Sequence, residues 1–66
     1  NLVKAIQSLT PMYRGVFNLY VIEGYTHMEI AEILEVSEGT SKSNLFKAKK
    51  KLRKDIKELL EAKYAS

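Results

Sequence analysis

Residues 24–45 read GYTHMEIAEILEVSEGTSKSNL, and this stretch decides the fold. Thr26 and Glu29 have the spacing of a capping box, in which the hydroxyl accepts from the Glu29 N–H and the carboxylate reaches back to the cap. A helix therefore begins there. Ser37 suits the N-cap of a second helix, and only the turn at 35–37 separates the two. Helices joined by so short a turn must cross sharply, which predicts a helix-turn-helix corner.

The rest of the chain predicts two more helices and no strand. Thr10 favours an N-cap and Pro11 the first helical position, so they separate a short first helix from a second one. The second helix ends at Gly24, a residue type common after helix C-termini. The fourth has no breaker after Gly39, and its apolar stripe continues to near Tyr64. The residues that we expect to face inward are Leu2, Ala5, Ile6 and Leu9; Met12, Val16, Phe17, Tyr20 and Val21; Ile30, Ile33 and Leu34; and Leu45, Ala48, Leu52, Ile56 and Leu59. We predict an all-α fold: a compact four-helix domain containing a helix-turn-helix with a long C-terminal helix.

Length and composition limit the possible classes of protein. A chain of 66 residues is one domain at most, and we expect a single helix-turn-helix domain over residues 1–66. Because the chain begins with Asn1 rather than methionine, we interpret it as a fragment of a longer chain. The absence of cysteine excludes a disulfide framework, a thiolate metal site and a cysteine nucleophile. The longest apolar run, Leu19 to Ile22, is four residues long and rules out a transmembrane helix.

Charge is distributed unevenly along the chain. Residues 1–36 carry two basic and four acidic side chains, whereas residues 37–66 carry nine basic and four acidic ones. Between Lys42 and Lys54 there are seven basic residues and no acidic one. A basic tract of this density indicates a polyanionic partner. Its place directly after a helix-turn-helix pattern makes double-stranded DNA the leading hypothesis, because such a helix fits the major groove.

Helical periodicity separates the inner face of the fourth helix from its outer face. With Leu45, Ala48 and Leu52 inward, the outward residues near the start of this helix are those that a groove-inserted helix places against base edges. Lysine can donate to guanine, asparagine can pair with adenine, serine allows close approach, and phenylalanine can contact a thymine methyl group. The predicted base-reading residues are Lys42, Ser43, Asn44, Phe46 and Lys47.

A second set of residues suits phosphate contacts. Lysine is a point charge without the planar fork of arginine, and helix N-termini offer backbone N–H groups to anions. The predicted phosphate contacts are Arg14 in the second helix, Thr26 and Ser37 at two helix caps, and Thr40, Lys49, Lys50, Lys51, Arg53 and Lys54 in the fourth helix. Neutralising about four to six phosphates would give log K against log salt a slope of about −4 to −5.

Segments of the chain, taken in order, resemble region 4 of sigma-70 family transcription initiation factors, specifically the extracytoplasmic-function (ECF) group. They are residues 9–17 (LTPMYRGVF), 23–31 (EGYTHMEIA), 36–43 (VSEGTSKS) and 47–53 (KAKKKLR). The resemblance implies that the fourth helix recognises the promoter −35 element, with base-reading roles at the five positions named above. It also implies docking on the flap of the RNA polymerase β subunit, an anti-sigma factor as a further candidate partner, and a place in the bacterial cytoplasm at the nucleoid.

Three positions depart from the usual pattern of that family. Glu35 stands where glycine is usual, in a turn position that favours a positive φ, and we expect a cost of about 1 kcal/mol. Ser41 replaces the usual valine or other β-branched apolar residue, so we expect it to thin the core under the fourth helix. Asn44 stands where arginine is frequent, which indicates a shifted DNA sequence preference.

Two other interpretations are open at the level of sequence. A LuxR-type response-regulator effector domain also has four helices and binds DNA as a dimer through its last helix. Alternatively, the chain is a helical protein-interaction module that docks on polymerase or on an anti-sigma factor. An enzyme is not expected, because His27 is the only histidine and has no partner at triad or metal-ligand spacing. We expect His27 to be an exposed first-turn residue, and we expect no metal, no cofactor and no small-molecule ligand.

Overall fold

The order of the helices matches the prediction, with one irregular turn added. The computed structural model describes residues 2–64, apart from the side chains of residues 2, 59 and 62–64. Its helices are α1 (Leu2–Gln7), α2 (Pro11–Phe17), α3 (His27–Leu34) and α4 (Glu38–Tyr64), and a π-helical turn (Asn18–Ile22) continues α2. Within residues 2–64 there is no strand, so the predicted all-α, four-helix class is confirmed.

The core consists of two clusters of buried apolar side chains that share α4 as a common wall. They are Ala5, Leu9, Ala48 and Leu52 in one cluster, and Val16, Ile30 and Leu45 in the other. Half-buried Phe17 packs against both clusters and joins them. The predicted inner seam of α4 is thereby confirmed for its three buried members, each at most 6% exposed. Two residues expected to face inward, Leu2 and Leu59, lie outside the described side chains.

The predicted inner face of the second helix is wrong in its second half. Tyr20 and Val21 are 38% and 46% exposed, and Leu19 packs against the core instead. The cause is the π-helical turn, in which the Glu23 N–H donates to the Asn18 carbonyl, five residues back, at 3.0 Å. This turn spans one residue more than an α-helical turn, so the side chains along it, Tyr20 and Val21 among them, move progressively away from the positions that an unbroken α-helix gives them.

Two further residues predicted to face inward are exposed. Met12 is 38% exposed, because Tyr13, its neighbour in the first turn of α2, packs against the core in its place. Ile33 is 50% exposed. The eight-residue helix α3 buries a narrow seam formed by Ile30 and Leu34, four residues apart, and Ile33 lies outside this seam.

The helix caps follow the sequence with one exception. The Thr26 hydroxyl accepts from the Glu29 N–H (3.1 Å), and the Glu29 carboxylate accepts from the Thr26 N–H (2.9 Å), which confirms the capping box. The Ser37 hydroxyl accepts from the Thr40 N–H at 3.0 Å and caps α4. Thr10 is the N-cap residue of α2, as predicted, but its side chain makes no capping hydrogen bond.

Helix α4 is unbroken from Glu38 to Tyr64, a continuity that the sequence left open beyond Lys54. Its 27 residues span about 40 Å at 1.5 Å per residue, and the molecule measures 46 × 18 × 16 Å. Past the first half of α4, the Asp55 carboxylate accepts from the Lys51 ammonium (3.1 Å) and lies 3.4 Å from the hydroxyl of Ser8, which donates to the Ala5 carbonyl at 2.7 Å. Among residues 2–64, no helix is both long enough and apolar enough to cross a membrane.

The corner between α3 and α4 depends on a residue in the left-handed conformation. Glu35 has φ 57° and ψ 46°, where a side chain other than glycine costs about 1–2 kcal/mol. The Val36 N–H donates to the Ala31 carbonyl at 2.9 Å and closes the end of α3. The positive φ expected at Glu35 is therefore confirmed.

We expect Glu35→Gly to raise the free energy of unfolding by about 1 kcal/mol, because glycine adopts the left-handed conformation without a Cβ penalty. Denaturant unfolding measures the change. Glu32→Gly is the matched control: it removes the same charge from an exposed position inside α3, and it should lower the free energy of unfolding by about 1 kcal/mol. A Glu35→Gly protein no more stable than the wild type would contradict the strain assigned to this corner.

Candidate nucleic-acid interface

One face of α4 carries the predicted base-reading residues away from the core. Ser43, Phe46 and Lys47 are exposed, whereas Leu45 and Ala48 beside them are buried. At 100° per residue, the three exposed side chains lie within an arc of about 100° on the helix surface. The phase of α4 that the sequence predicted is the phase that the structure shows. We call this surface the outer face of α4.

Phe46 is an apolar group among cations. Its side chain is 64% exposed, and its helical neighbours one turn before and after are the exposed Lys42 and Lys50. Burying a phenylalanine is worth about 1.5–3 kcal/mol, so its place on this surface gives up stabilisation that the core would supply. An apolar group on a basic helix face suits contact with a thymine methyl group.

Lys42 and Asn44 already have partners on their own helix. The Lys42 ammonium lies 3.6 Å from the Glu38 carboxylate, and the two side chains are 62% and 48% exposed. An exposed pair of this kind is worth little, so DNA can recruit Lys42 at small cost. The Asn44 amide donates to the Thr40 carbonyl at 2.8 Å, which leaves its second amide hydrogen and its oxygen for a base edge.

The predicted phosphate-contacting cations of α4 differ in whether they form an ion pair within the helix. Lys49, Lys50, Arg53 and Lys54 are exposed cations along more than one turn of the helix. Lys51 is held by Asp55 at 3.1 Å, in a pair whose side chains are 49% and 19% exposed. The first four therefore suit phosphate contact better than Lys51 does.

The two helix N-termini differ as anion sites. At α4, the Ser37 hydroxyl takes the Thr40 N–H and donates to the Thr40 hydroxyl (2.8 Å), which leaves the N–H groups of the first two helical residues directed out of the helix end. At α3, the Thr26 N–H is taken by the Glu29 carboxylate, so a phosphate there would compete with an acidic side chain. The first turn of α4 is also acidic, but the Glu38 carboxylate lies against Lys42 (3.6 Å), whereas that of Glu29 accepts from the helix-end N–H, so the N-terminus of α4 is the better site of the two.

Arg14 connects two helices within the domain. Its Nη1 donates to the carbonyl of Gln7, the last residue of α1, at 3.2 Å, and the side chain is half-buried. A guanidinium has five N–H donors, so others remain for a phosphate. The hydrogen bond from Arg14 Nη1 to Gln7 stabilises the end of α1.

The surroundings of His27 were not predicted. The residue was expected to be exposed, but it is half-buried, and its Nδ1 shares a hydrogen bond of 2.8 Å with the Ser41 hydroxyl. Its ring stacks on the ring of Tyr20, with 4.4 Å between centroids and 18° between planes. Ser41 is fully buried, so this pair has no nucleophile within reach of a substrate. One feature of the sequence could have indicated this contact: Ser41 lies on the inner face of α4, and a buried hydroxyl needs a hydrogen-bond partner.

The sharp corner, the helical frame and the outward basic helix define a helix-turn-helix DNA-binding domain. The chain matches the family described as Sigma-70, region 4, over residues 1–52, and it belongs to that family. This is a family of DNA-binding regulatory domains rather than enzymes, and it interacts with promoter DNA and RNA polymerase. No curated protein and no solved structure is significantly similar to the chain. Membership in this family decides against the LuxR-type alternative.

We expect Ser37→Ala to lower the free energy of unfolding by about 1 kcal/mol, because it removes the N-cap of α4. Ser43→Ala makes the same chemical change on the exposed outer face and should alter the free energy by less than about 0.5 kcal/mol. Thermal or denaturant unfolding of the three proteins measures both changes. Equal losses in the two variants would show that the hydroxyl of Ser37 does not stabilise the helix end.

Proposed function

We propose that this chain is the −35-element-binding domain of a bacterial sigma factor of the ECF group, acting in the cytoplasm at the nucleoid with α4 as its recognition helix. Membership in the sigma-70 region 4 family supports promoter binding, and the sequence resemblance supports the finer assignment. The observation that carries the proposal is the outer face of α4, where Ser43, Phe46 and Lys47 point outward from a helix whose opposite side is buried.

The base-reading roles follow from side-chain chemistry on that face. Lys47 donates to the acceptors of a guanine, Phe46 packs on a thymine methyl group, and Ser43 is small enough for the helix to approach closely. Lys42 and Asn44 lie at the edges of the outer face. Lys42 reads a base once its weak ion pair with Glu38 is exchanged, and Asn44 reads one with its second amide hydrogen and its oxygen. DNA shape contributes further discrimination at base pairs that these residues do not touch.

The exposed cations of α4 supply affinity that does not depend on base sequence. Lys49, Lys50, Arg53 and Lys54 lie within six consecutive positions and carry no acidic partner in the ion pairs described for this helix. Each phosphate that they neutralise releases a counterion, so binding weakens as salt rises. Arg14, Thr26, Ser37, Thr40 and Lys51 complete the proposed phosphate contacts.

Contact with RNA polymerase requires surface outside the outer face of α4. Val21, Ile22 and Met28 are 46%, 65% and 64% exposed and belong to the π-helical turn and to α3. They provide apolar area for docking on the β-subunit flap, and an anti-sigma factor could cover the same domain. The resemblance to the ECF group is what supports these two partners.

Replacement of single thymines tests the role of Phe46. A duplex selected by the wild-type chain from a randomised pool is resynthesised with one thymine at a time changed to deoxyuridine, which lacks only the methyl group. We expect one such change to weaken wild-type binding about fourfold, because about 0.8 kcal/mol is lost with a buried carbon. Phe46→Ala should bind both duplexes equally, whereas the control Ser43→Ala should still distinguish them. Phe46→Ala with undiminished discrimination would remove this residue from base reading.

Two lysine variants separate base reading from phosphate binding. Lys47→Ala should cost about 1–3 kcal/mol on the selected duplex and relax the preference at one base pair. Lys50→Ala should weaken selected and shuffled duplexes alike and reduce the slope of log K against log salt by about one. Fluorescence anisotropy at several salt concentrations measures both. If both variants lowered affinity for the two duplexes equally, α4 would bind DNA without reading it. Tight binding to polymerase without duplex preference would favour the protein-interaction alternative.

A further inference from the structure

Ser41 connects the buried side of α4 to α3 through a polar contact. Its hydroxyl is fully buried and shares the 2.8 Å hydrogen bond with Nδ1 of His27, the first residue of α3. The two residues are 14 positions apart, so the bond crosses the corner of the helix-turn-helix. In the described part of the chain, no buried side-chain nitrogen or oxygen lacks a partner.

The imidazole ring is held from a second direction. The ring of Tyr20 stacks on it at 4.4 Å, and Tyr20 lies in the π-helical turn that rotates it off the predicted core face. Stacking fixes the plane of the ring, and the hydrogen bond fixes which nitrogen faces α4. His27 therefore joins three elements: the end of the second helix, the start of α3 and the first turns of α4.

A hydrogen bond can set a rotation that apolar packing leaves loose. The rest of the α4 seam consists of Leu45, Ala48 and Leu52, whose burial is favourable but not directional. The bond between Ser41 and His27 has a defined length and angle. Ser41 directly precedes the base-reading segment, so a small rotation of α4 at this point moves every residue of its outer face relative to a groove.

We propose that His27 is a positioning residue for DNA recognition, acting through Ser41 to fix the rotation of the N-terminal turns of α4. It touches no base itself. The inference rests on the proposed function of α4, and it assigns to a residue of α3 an effect on the ratio of sequence-specific to non-specific binding. The outer-face cations bind phosphates on any duplex, so this ratio is the quantity that positioning changes.

A double-mutant cycle on the 66-residue chain tests the inference. Ser41→Ala removes the hydroxyl, and His27→Phe keeps a ring that can stack on Tyr20 but has no Nδ1. The probes are the duplex selected from a randomised pool and a shuffled duplex of the same composition. The binding ratio is the dissociation constant for the shuffled duplex divided by that for the selected duplex. We expect each single change to lower this ratio about three- to tenfold, with little change in affinity for the shuffled duplex. The double variant should keep the same ratio as the more impaired of the two single variants, because both substitutions remove the same hydrogen bond.

Two more variants separate positioning from packing. Ser41→Val fills the buried site with an apolar side chain, so the free energy of unfolding of this variant should be at least that of Ser41→Ala. Its binding ratio should nevertheless stay below that of the wild type, because valine cannot bond to His27. His27→Asn places an amide near the position of Nδ1 and should recover part of the ratio that His27→Phe loses. Denaturant unfolding of every variant accompanies the binding measurements.

The outcomes distinguish this inference from the proposed function. If the wild type prefers the selected duplex and Ser41→Val and His27→Phe keep the full ratio, positioning by His27 is wrong and base reading by α4 stands. The same holds if the two single effects add, since independent residues would then be involved. If the wild type selects no duplex, both the proposed function and this inference are overturned.

Discussion

Burial of one side of α4 is the constraint on which the rest of the structure depends. Leu45 and Leu52 are at most 6% exposed, and burying a side chain of this kind is worth about 1.5–3 kcal/mol. In a chain of 66 residues few other sources of stability are available. Because successive residues turn by 100°, holding these leucines inward also holds Ser43 and Lys47 outward. The surface that would meet DNA is thus a geometric consequence of the core.

Periodicity and local chemistry predicted the features of the fold that depend on neighbouring residues. The α4 seam repeats at helical spacing, and the two residues of the capping box are three positions apart. The left-handed conformation of Glu35, by contrast, was expected from the resemblance to a family that usually has glycine at this position. The π-helical turn was beyond such reasoning. Residues 19–22 are apolar without interruption, so an α-helical and a π-helical register both place an apolar side chain on the core, and the pattern cannot choose between them.

In the candidate site, too, the features that follow from local sequence were predictable and those that depend on tertiary packing were not. The outer face of α4 follows from the helix phase, and its contacts four residues apart, such as Lys42 with Glu38, follow from helix geometry. The bond between His27 and Ser41 depends on how two helices cross, which no local pattern specifies. Ser41 looked like a defect in the core because its partner was not visible in the sequence. A polar residue on a buried face is better interpreted as half of a pair.

The directional features of this domain lie where the orientation of α4 is decided. The left-handed Glu35, the Ser37 cap and the Ser41 hydroxyl all fall within seven positions at the corner. From Lys51 onward, the polar contacts described for α4 include the i,i+4 ion pairs Lys51–Asp55 and Lys57–Glu61 and the contact of Asp55 with Ser8, and each of them involves an exposed side chain. Strain and a buried hydroxyl both reduce stability in a small protein, so their concentration at the corner would be unfavourable if the corner only had to connect two helices. It is consistent with a division of labour in which the first turns of α4 are held at one angle for recognition, while the lysines further along act by charge and tolerate movement.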